Sequence, residues 1–507
     1  MKIIATILIM TFILLFFCTT AGSAQTQVPV NEAVNIPSTE TGYIVKEFIE
    51  AVNSDKPADA SQFAHKYLST GLSNVGSEKW DEENYSRLLI SLQQGGGLVP
   101  VDFRQNSSLQ YLGVIFRVPA LKKMLSAEFV KNDTSNTLRY IEVHSMSLPA
   151  GPYQWPERQM DEKEIAEEIE KRIQKEVTAG QFSGVALIAH NDRIIINKAY
   201  GYADRDRNQL NTVNTRIHTG SVGKMFTAAA IGQLAEKGKL RFSDTLGTIL
   251  PDYPNREAAH SVTIAQLLTH TAGIADPFEL GKRKTGIDYS TAESNLNLIA
   301  PEKLTMKPGA YHSYSNGNYS VLAAIVEKLS GMSFEKYLRE NIFRPAGMAI
   351  ADKDGYSSLP RAENYSFDPE RDPFATGSRI VSTSTAKTPE YEYSGFSNAY
   401  LTAEDVYRFM LALREGKLVS PEMVEILTHG KVSVGQGSPV KYAYGFYDAT
   451  MWGTNMRGHS GGGGHSGIGA EAEMIWNNNY YVILLGNYDL DTVRPLAFSI
   501  ARFLGSK

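Results

Sequence analysis

The chain has a single cysteine, Cys18, among 507 residues. It lies in an N-terminal segment expected to be removed, so the mature chain has no thiol. That excludes a cysteine nucleophile, a disulfide framework and a thiolate zinc site. It also means that an oxidising compartment poses no folding problem. Basic stripes and long blocks of like charge are missing too. With a formal net charge of −5, nucleic acid is not an expected partner. No phosphate loop is complete, since His218 to Met225 lacks both the first glycine and the final Ser or Thr. No internal repeat is visible. After the first two dozen residues no apolar run is long enough to cross a membrane.

Met1 to Ala24 reads as a signal peptide. Lys2 supplies the positive start, Ile3 to Cys18 is apolar except for Thr6 and Thr11, and small residues lead to cleavage after Ala24. The run is short for an uncleaved anchor, and Phe17 is a poor neighbour for a lipid-attached Cys18. Secretion or a periplasmic location follows as an expectation, with no membrane contact beyond this segment. Residues 25–38 read as a loose leader and 39–150 as a small α+β domain. In the latter, Ile44, Phe48, Ile49 and Val52 have helical spacing, while Tyr111 to Val118 and Leu138 to Val143 alternate as strands. The stretch Phe48-Ile49-Glu50-Ala51-Val52-Asn53-Ser54 resembles the opening helix of the cone-shaped nuclear-transport-factor-two-like domains.

Pro149-Ala150-Gly151-Pro152 and Trp155-Pro156 place a linker over 151–160, leaving 161–507 as the larger domain. It opens on an amphipathic helix, Asp161 to Ala179, with Ile165, Ile169, Ile173 and Val177 on one face and Gly180 as its stop. Gly184 to His190 and Arg193 to Tyr200 flank Asn191-Asp192 as a hairpin. Ala472 to Trp476 and Tyr480 to Leu485 form a second, and a helix from Thr492 to Phe503 closes the chain. Both chain ends are therefore expected to complete one antiparallel sheet.

Three distant segments carry the chemistry. Ser221-Val222-Gly223-Lys224 leads into an apolar helix, which puts Lys224 one turn behind Ser221 on the same face. A buried lysine can lose its proton and act as a base, and a helix N-terminus favours developing negative charge. Tyr314-Ser315-Asn316 follows Pro308-Gly309 and precedes a second apolar helix, Val321 to Leu329. A phenol near a lysine suits general acid–base work, and Asn316 can orient Lys224 and a substrate amide. His459-Ser460-Gly461 lies in a glycine-dominated run, Gly458 to Gly469, where backbone can approach a ligand closely. The trio reads as a serine-nucleophile acyl-transfer site.

Each element has competitors. Ser333/Lys336, Ser384/Lys387 and Ser438/Lys441 share the Ser-x-x-Lys spacing, but they read as a surface helix start, a polar loop and a residue before Pro439. Tyr253-Pro254-Asn255 repeats Tyr-x-Asn in a proline-rich turn. Lys284-Thr285-Gly286 precedes the tyrosine element and lies among polar residues. Gly458-His459-Ser460-Gly461-Gly462 matches a Gly-x-Ser-x-Gly nucleophile elbow, but that elbow needs a following helix and a distant late histidine. Only His465 follows, five residues on.

With these residues in place, the stretch from Asp161 to Lys507 resembles the serine β-lactamase-related family. That group holds class C β-lactamases, D-Ala-D-Ala carboxypeptidases, D-aminopeptidases and related esterases. Leu267-Leu268-Thr269-His270-Thr271-Ala272-Gly273-Ile274, Leu401-Thr402-Ala403-Glu404-Asp405 and Tyr444-Gly445-Phe446 extend the likeness. The resemblance implies an α+β, β-lactamase/transpeptidase-like fold: an antiparallel sheet flanked by helices, plus a helical subdomain. It implies Ser221 as the acylated nucleophile and Lys224 and Tyr314 as general base and acid. Asn316, His459 and Gly461 would bind substrate, and the N–H groups of Ser221 and Gly462 would form the oxyanion hole. No metal or cofactor is implied. His459 stands where β-lactamases usually have lysine, which removes a fixed charge for a carboxylate. An ester or D-amino-acid peptide is therefore the expected substrate. A β-lactamase or D,D-peptidase and a non-turnover sensor are the alternatives, and the oligomeric state is left open.

Overall fold

The structure, a computed structural model, describes residues 36, 39–68, 73–75, 78–80, 86, 89–90, 92–93, 97–105, 111–118, 123–131, 137–146, 155–281, 289, 291–367, 380–382, 393–397, 400–435, 438–451, 453–463 and 466–507. The signal peptide, Cys18, Lys284-Thr285-Gly286, the Ser384/Lys387 pair and His465 lie outside the described residues. Among the described residues no helix is long and apolar enough to cross a membrane.

Two compact units are present, one comprising the described residues up to 146 and one comprising most of those from 155 onward. In the first, Thr39 caps α1 (Glu40–Asn53), and α2 (Pro57–Leu68) follows. Four strands then run in sequential antiparallel order: β1 (Val99–Gln105), β2 (Tyr111–Val118), β3 (Lys123–Lys131) and β4 (Leu138–Met146). Phe48 meets Phe63, Phe116 and Phe129 at ring-centroid distances of 4.9–5.9 Å. That aromatic cluster ties α1 to the sheet and makes this unit α+β, as the alternating pattern predicts.

The second unit opens with α3 (Glu162–Thr178), started by an Asp161/Glu164 capping box and stopped by Gly180 at φ +69°. Ile165, Ile169 and Ile173 are buried as the periodicity requires. The hairpin of β5 (Gly184–His190) and β6 (Arg193–Tyr200) turns at Asn191, whose φ is +56°. Helix α4 (Lys224–Glu236) is buried from Lys224 through Leu234 and forms the centre of the helical layer with α5 (Asn316–Ser330). Each fully buried Leu, Ile or Phe there contributes about 1.5–3 kcal/mol of hydrophobic stabilisation.

Six more strands complete the sheet: β7 (Val432–Ser433), β8 (Val440–Tyr442), β9 (Tyr447–Met451), β10 (Thr454–Gly462), β11 (Gly469–Ile475) and β12 (Tyr480–Gly486). The order is β7-β8-β9-β10-β11-β12-β5-β6, antiparallel throughout. Pairing of β12 with β5 joins the two hairpins, so both chain ends do complete one sheet. Helix α6 (Leu490–Gly505) packs with α3 over one face, and α4 and α5 belong to the core on the other. The glycine run after Gly458, which by composition alone reads as a loop, is a strand as far as Gly462.

Candidate active site

Ser221 lies in a single 3₁₀ turn, Gly220–Gly223, that runs into α4 at Lys224. The sequence pattern puts Ser221 at the N-terminus of this helix, and the tighter turn that carries it is continuous with α4. Gly220 at φ +52° allows the turn, and its N–H donates to His218 Nδ1 at 3.0 Å. His218 is buried, and loss of solvation pushes its imidazole down to about 4, so it stays a neutral acceptor.

Lys224 is fully buried. Its Nζ lies 3.0 Å from Ser221 Oγ, 2.8 Å from Asn316 Oδ1 and 3.1 Å from the Phe396 carbonyl. The rings of Tyr314, Tyr319 and Phe396 close around it at 4.9–5.6 Å and exclude water. Desolvation holds the amine well below its ordinary value, opposed only by the charge of Asp276. A neutral amine has two N–H donors and one lone pair. Asn316 Oδ1 and the Phe396 carbonyl can only accept, so they take the two donors, and the lone pair faces the Ser221 hydroxyl.

Asn316 opens α5, and Asp276 fixes its orientation. Asp276 Oδ2 accepts from the Asn316 backbone N–H at 2.7 Å and from Nδ2 at 3.0 Å. A carboxylate cannot donate, so Oδ1 of the amide must turn toward Lys224. The Phe396 carbonyl is aimed by Gly395, at φ +91°, whose own carbonyl accepts from Thr227 Oγ1 at 2.6 Å.

Tyr314 is the open member of the group, 36% exposed. Its ring lies against His270, tilted by 32° at 4.1 Å, and its hydroxyl meets Ser221. Desolvation, then Tyr447, pushes the phenol well above its ordinary value; the Ser221 contact works the other way, and solvent reaching the exposed third of the ring softens the shift. Lysine driven down and tyrosine driven up is the division expected of a base and an acid.

His459 is buried on β10 and borders the group. Desolvation first, and then the neighbouring Lys224 amine, push it down to about 3. Gly461 lies so close to the serine turn that an added Cβ would sit 1.9 Å from the Thr219 carbonyl and 3.0 Å from the Ser221 nitrogen. Gly462, at φ +129°, lies beside Gly220, where an added Cβ would sit 2.9 Å from the Gly462 nitrogen. The structure therefore brings Ser221, Lys224, Tyr314, Asn316, His459, Gly461 and Gly462 into one site.

The competitors do not assemble. Ser460 is on a strand, pairs in register with Glu471, and its hydroxyl accepts from Arg494 Nη2 at 2.5 Å. No elbow turn follows it. Ser333 caps a short helix through the Lys336 N–H at 3.3 Å, and Tyr253 is buried in the turn before Arg256. Sequence reasoning missed Asp276, the Phe396 carbonyl and the interior role of His270 and Tyr442. Only His270 stood in a recognised run; Asp276-Pro277 carries no local signal beyond a helix start.

The beta-lactamase family model matches residues 169–497. The chain belongs to that family. Among curated relatives, PbpX of Bacillus subtilis, named for penicillin binding, is 36% identical over 53% of this chain and 62% of its own length. The teichoic acid D-alanine hydrolase of Staphylococcus aureus is 28% identical over 55% of this chain and 65% of its own. The matches thus span less than two thirds of either relative. The solved penicillin-binding protein of Bacillus halodurans superposes with a TM-score of 0.53 at 25% identity, over 64% of this chain and 97% of that one. The fold is the β-lactamase/transpeptidase-like one that the motifs imply.

Proposed function

We propose that this protein is an exported hydrolase that cleaves a D-alanyl or related ester or amide through an acyl-enzyme on Ser221. The observation that carries this reading is Lys224 Nζ held between Ser221 Oγ, Asn316 Oδ1 and the Phe396 carbonyl. Substrate class is suggested by the name of the Staphylococcus aureus relative. It is also supported by the uncharged third element, which offers no lysine to a carboxylate.

In acylation, Lys224 takes the Ser221 proton as Oγ bonds to the substrate carbonyl carbon. Backbone N–H groups of Ser221 and Gly462 receive the oxyanion. As the C–O or C–N bond breaks, Tyr314 gives its proton to the leaving group and recovers one from Lys224, which restores both residues. In deacylation a water passes its proton to Lys224 and attacks the ester carbon. Ser221 Oγ leaves and regains the proton. Asn316, with one amide N–H committed to Asp276, offers the other to the substrate acyl chain.

The test is steady-state turnover of D-alanine esters and amides, their L-enantiomers and a chromogenic β-lactam. Sustained turnover of a D-alanyl substrate, at least about tenfold faster than the β-lactam, supports the reading; a tenfold difference corresponds to about 1.4 kcal/mol in the barrier. A single burst with no steady state supports a sensor instead. A mature N-terminus at Gln25 supports export, and one before Gln25 contradicts cleavage at Ala24.

A further inference from the structure

Behind the site, three side chains from distant segments form one hydrogen-bonded file. His270 Nδ1 lies 3.2 Å from the Ser315 backbone nitrogen and 3.1 Å from Asn318 Nδ2. His270 Nε2 lies 3.1 Å from the Tyr442 hydroxyl. That hydroxyl is 2.9 Å from His459 Nε2, and His459 Nδ1 is 2.6 Å from the Ser460 carbonyl. All three side chains are buried.

The two ends fix the direction independently. A backbone N–H can only donate, so His270 Nδ1 must accept and Nε2 must carry the proton. A backbone carbonyl can only accept, so His459 Nδ1 carries the proton and Nε2 must accept. Tyr442 then accepts from His270 and donates to His459, one proton placement that fits both imidazoles; the Tyr319 hydroxyl, which donates to the Leu268 carbonyl at 2.9 Å, also borders Tyr442. His270 is also held at φ +56°, a conformation that costs a non-glycine residue energy and persists where the surroundings demand it.

We propose that His270 and Tyr442 are positioning residues that lock His459 as the neutral Nδ1–H tautomer, with neither ring nitrogen left for the substrate. The third element is then an uncharged wall, and its substrate contact comes from the backbone at Gly461 and Gly462. The same file braces the opposite wall, because the His270 ring packs against Tyr314 at 4.1 Å. The groups facing His459 are the Lys224 amine and the Arg494 cation, with the rings of Tyr314, Tyr442 and Tyr447 and the neutral His270. Arg494 is itself paired with the buried Glu471 at 3.3 Å. None of these favours an imidazolium at this position.

The inference builds on Ser221 acylation but can fail separately. The experiment is ¹⁵N NMR of the histidine rings in the full chain, with His459 assigned from the signal lost in His459→Gln, followed from pH 5 to 9. Wild type is expected to show His459 as Nδ1–H throughout, with no titration. In Tyr442→Phe the acceptor nitrogen loses its donor, which releases a hold on the neutral form. His459 should then populate Nε2–H or begin to titrate, and kcat/KM should fall about tenfold with its acid limb moved to higher pH. An Nε2–H tautomer or an imidazolium in wild type overturns the proposal, whether or not the variant folds. So does a folded Tyr442→Phe that leaves both tautomer and pH profile unchanged. Fluorophosphonate labelling of Ser221 in the same samples separates the two claims: labelling with the wrong tautomer overturns only the file.

Discussion

Lys224 has to be neutral in a place where Asp276 and three aromatic faces would each welcome a cation. Desolvation outweighs them. Lys224→Met is expected to lower kcat/KM by about 10²–10⁴-fold, the span of a general base. In wild type, kcat/KM should rise with pH through the lowered Lys224 value and fall only where the raised Tyr314 value is reached. The same burial makes a stability prediction. An unfolded lysine titrates near pH ~10.4, far above the folded one. Between the two values the unfolded chain holds a proton that the folded chain lacks, so wild-type stability rises with pH. Melting curves of wild type and Lys224→Met from pH 6 to 10 should move steadily in favour of wild type; parallel curves would mean that Lys224 is charged in the fold. Asp276→Ala frees the Asn316 amide, and a misplacement of about 1 Å costs about 10²-fold in rate. Because Asp276 raises Lys224, the acid limb of that variant should move to lower pH, which a purely structural loss would not produce.

Among the elements, β10 and the serine turn meet backbone to backbone. Gly461→Ala puts a methyl 1.9 Å from the Thr219 carbonyl, so the strand must withdraw from Ser221. Acylation should slow at least tenfold while far-UV circular dichroism stays unchanged; normal acylation would show that the strand edge does not serve the oxyanion. Helix α3 contains a pair that its apolar stripe conceals. Arg172 Nη1 and Glu176 Oε1 are 2.5 Å apart, with side chains 1% and 2% exposed. Removing one partner takes this ion pair from a buried charge, so Glu176→Ala should cost about 3–5 kcal/mol in denaturant unfolding. At this scale the sequence was highly legible. Both strands of the first hairpin and the limits of α3 follow from local pattern and turn chemistry: β5 is a continuous apolar run buried on both faces, and α3 buries one stripe. Strand β10 was not legible by composition, since glycine carries no periodicity; tertiary pairing with β9 and β11 makes it a strand. Strands β1 and β3 do alternate, with Val99, Val101 and Phe103 in one and Leu125, Ala127 and Phe129 in the other, but Pro100 and the charged residues between them mask short runs of this kind.

At the scale of the whole molecule, the order serine element, tyrosine element, glycine-rich element was readable because each motif sits at an element boundary with its own start signal. What joins them was not readable. His270 and Asp276 from one loop, the Phe396 carbonyl and Tyr442 reach the site from three separate segments, and only the completed sheet and the buried α4 and α5 bring them within hydrogen-bond distance. The likeness to known serine hydrolases covers the second unit, whereas the unit before Leu148 carries no part of the trio. The central claim is that the chain's single nucleophile is Ser221, activated by Lys224. Intact mass after fluorophosphonate treatment of wild type, Ser221→Ala and Ser460→Ala tests it most directly. The account predicts one adduct on wild type and on Ser460→Ala and none on Ser221→Ala. An adduct retained by Ser221→Ala, or lost only in Ser460→Ala, would contradict it.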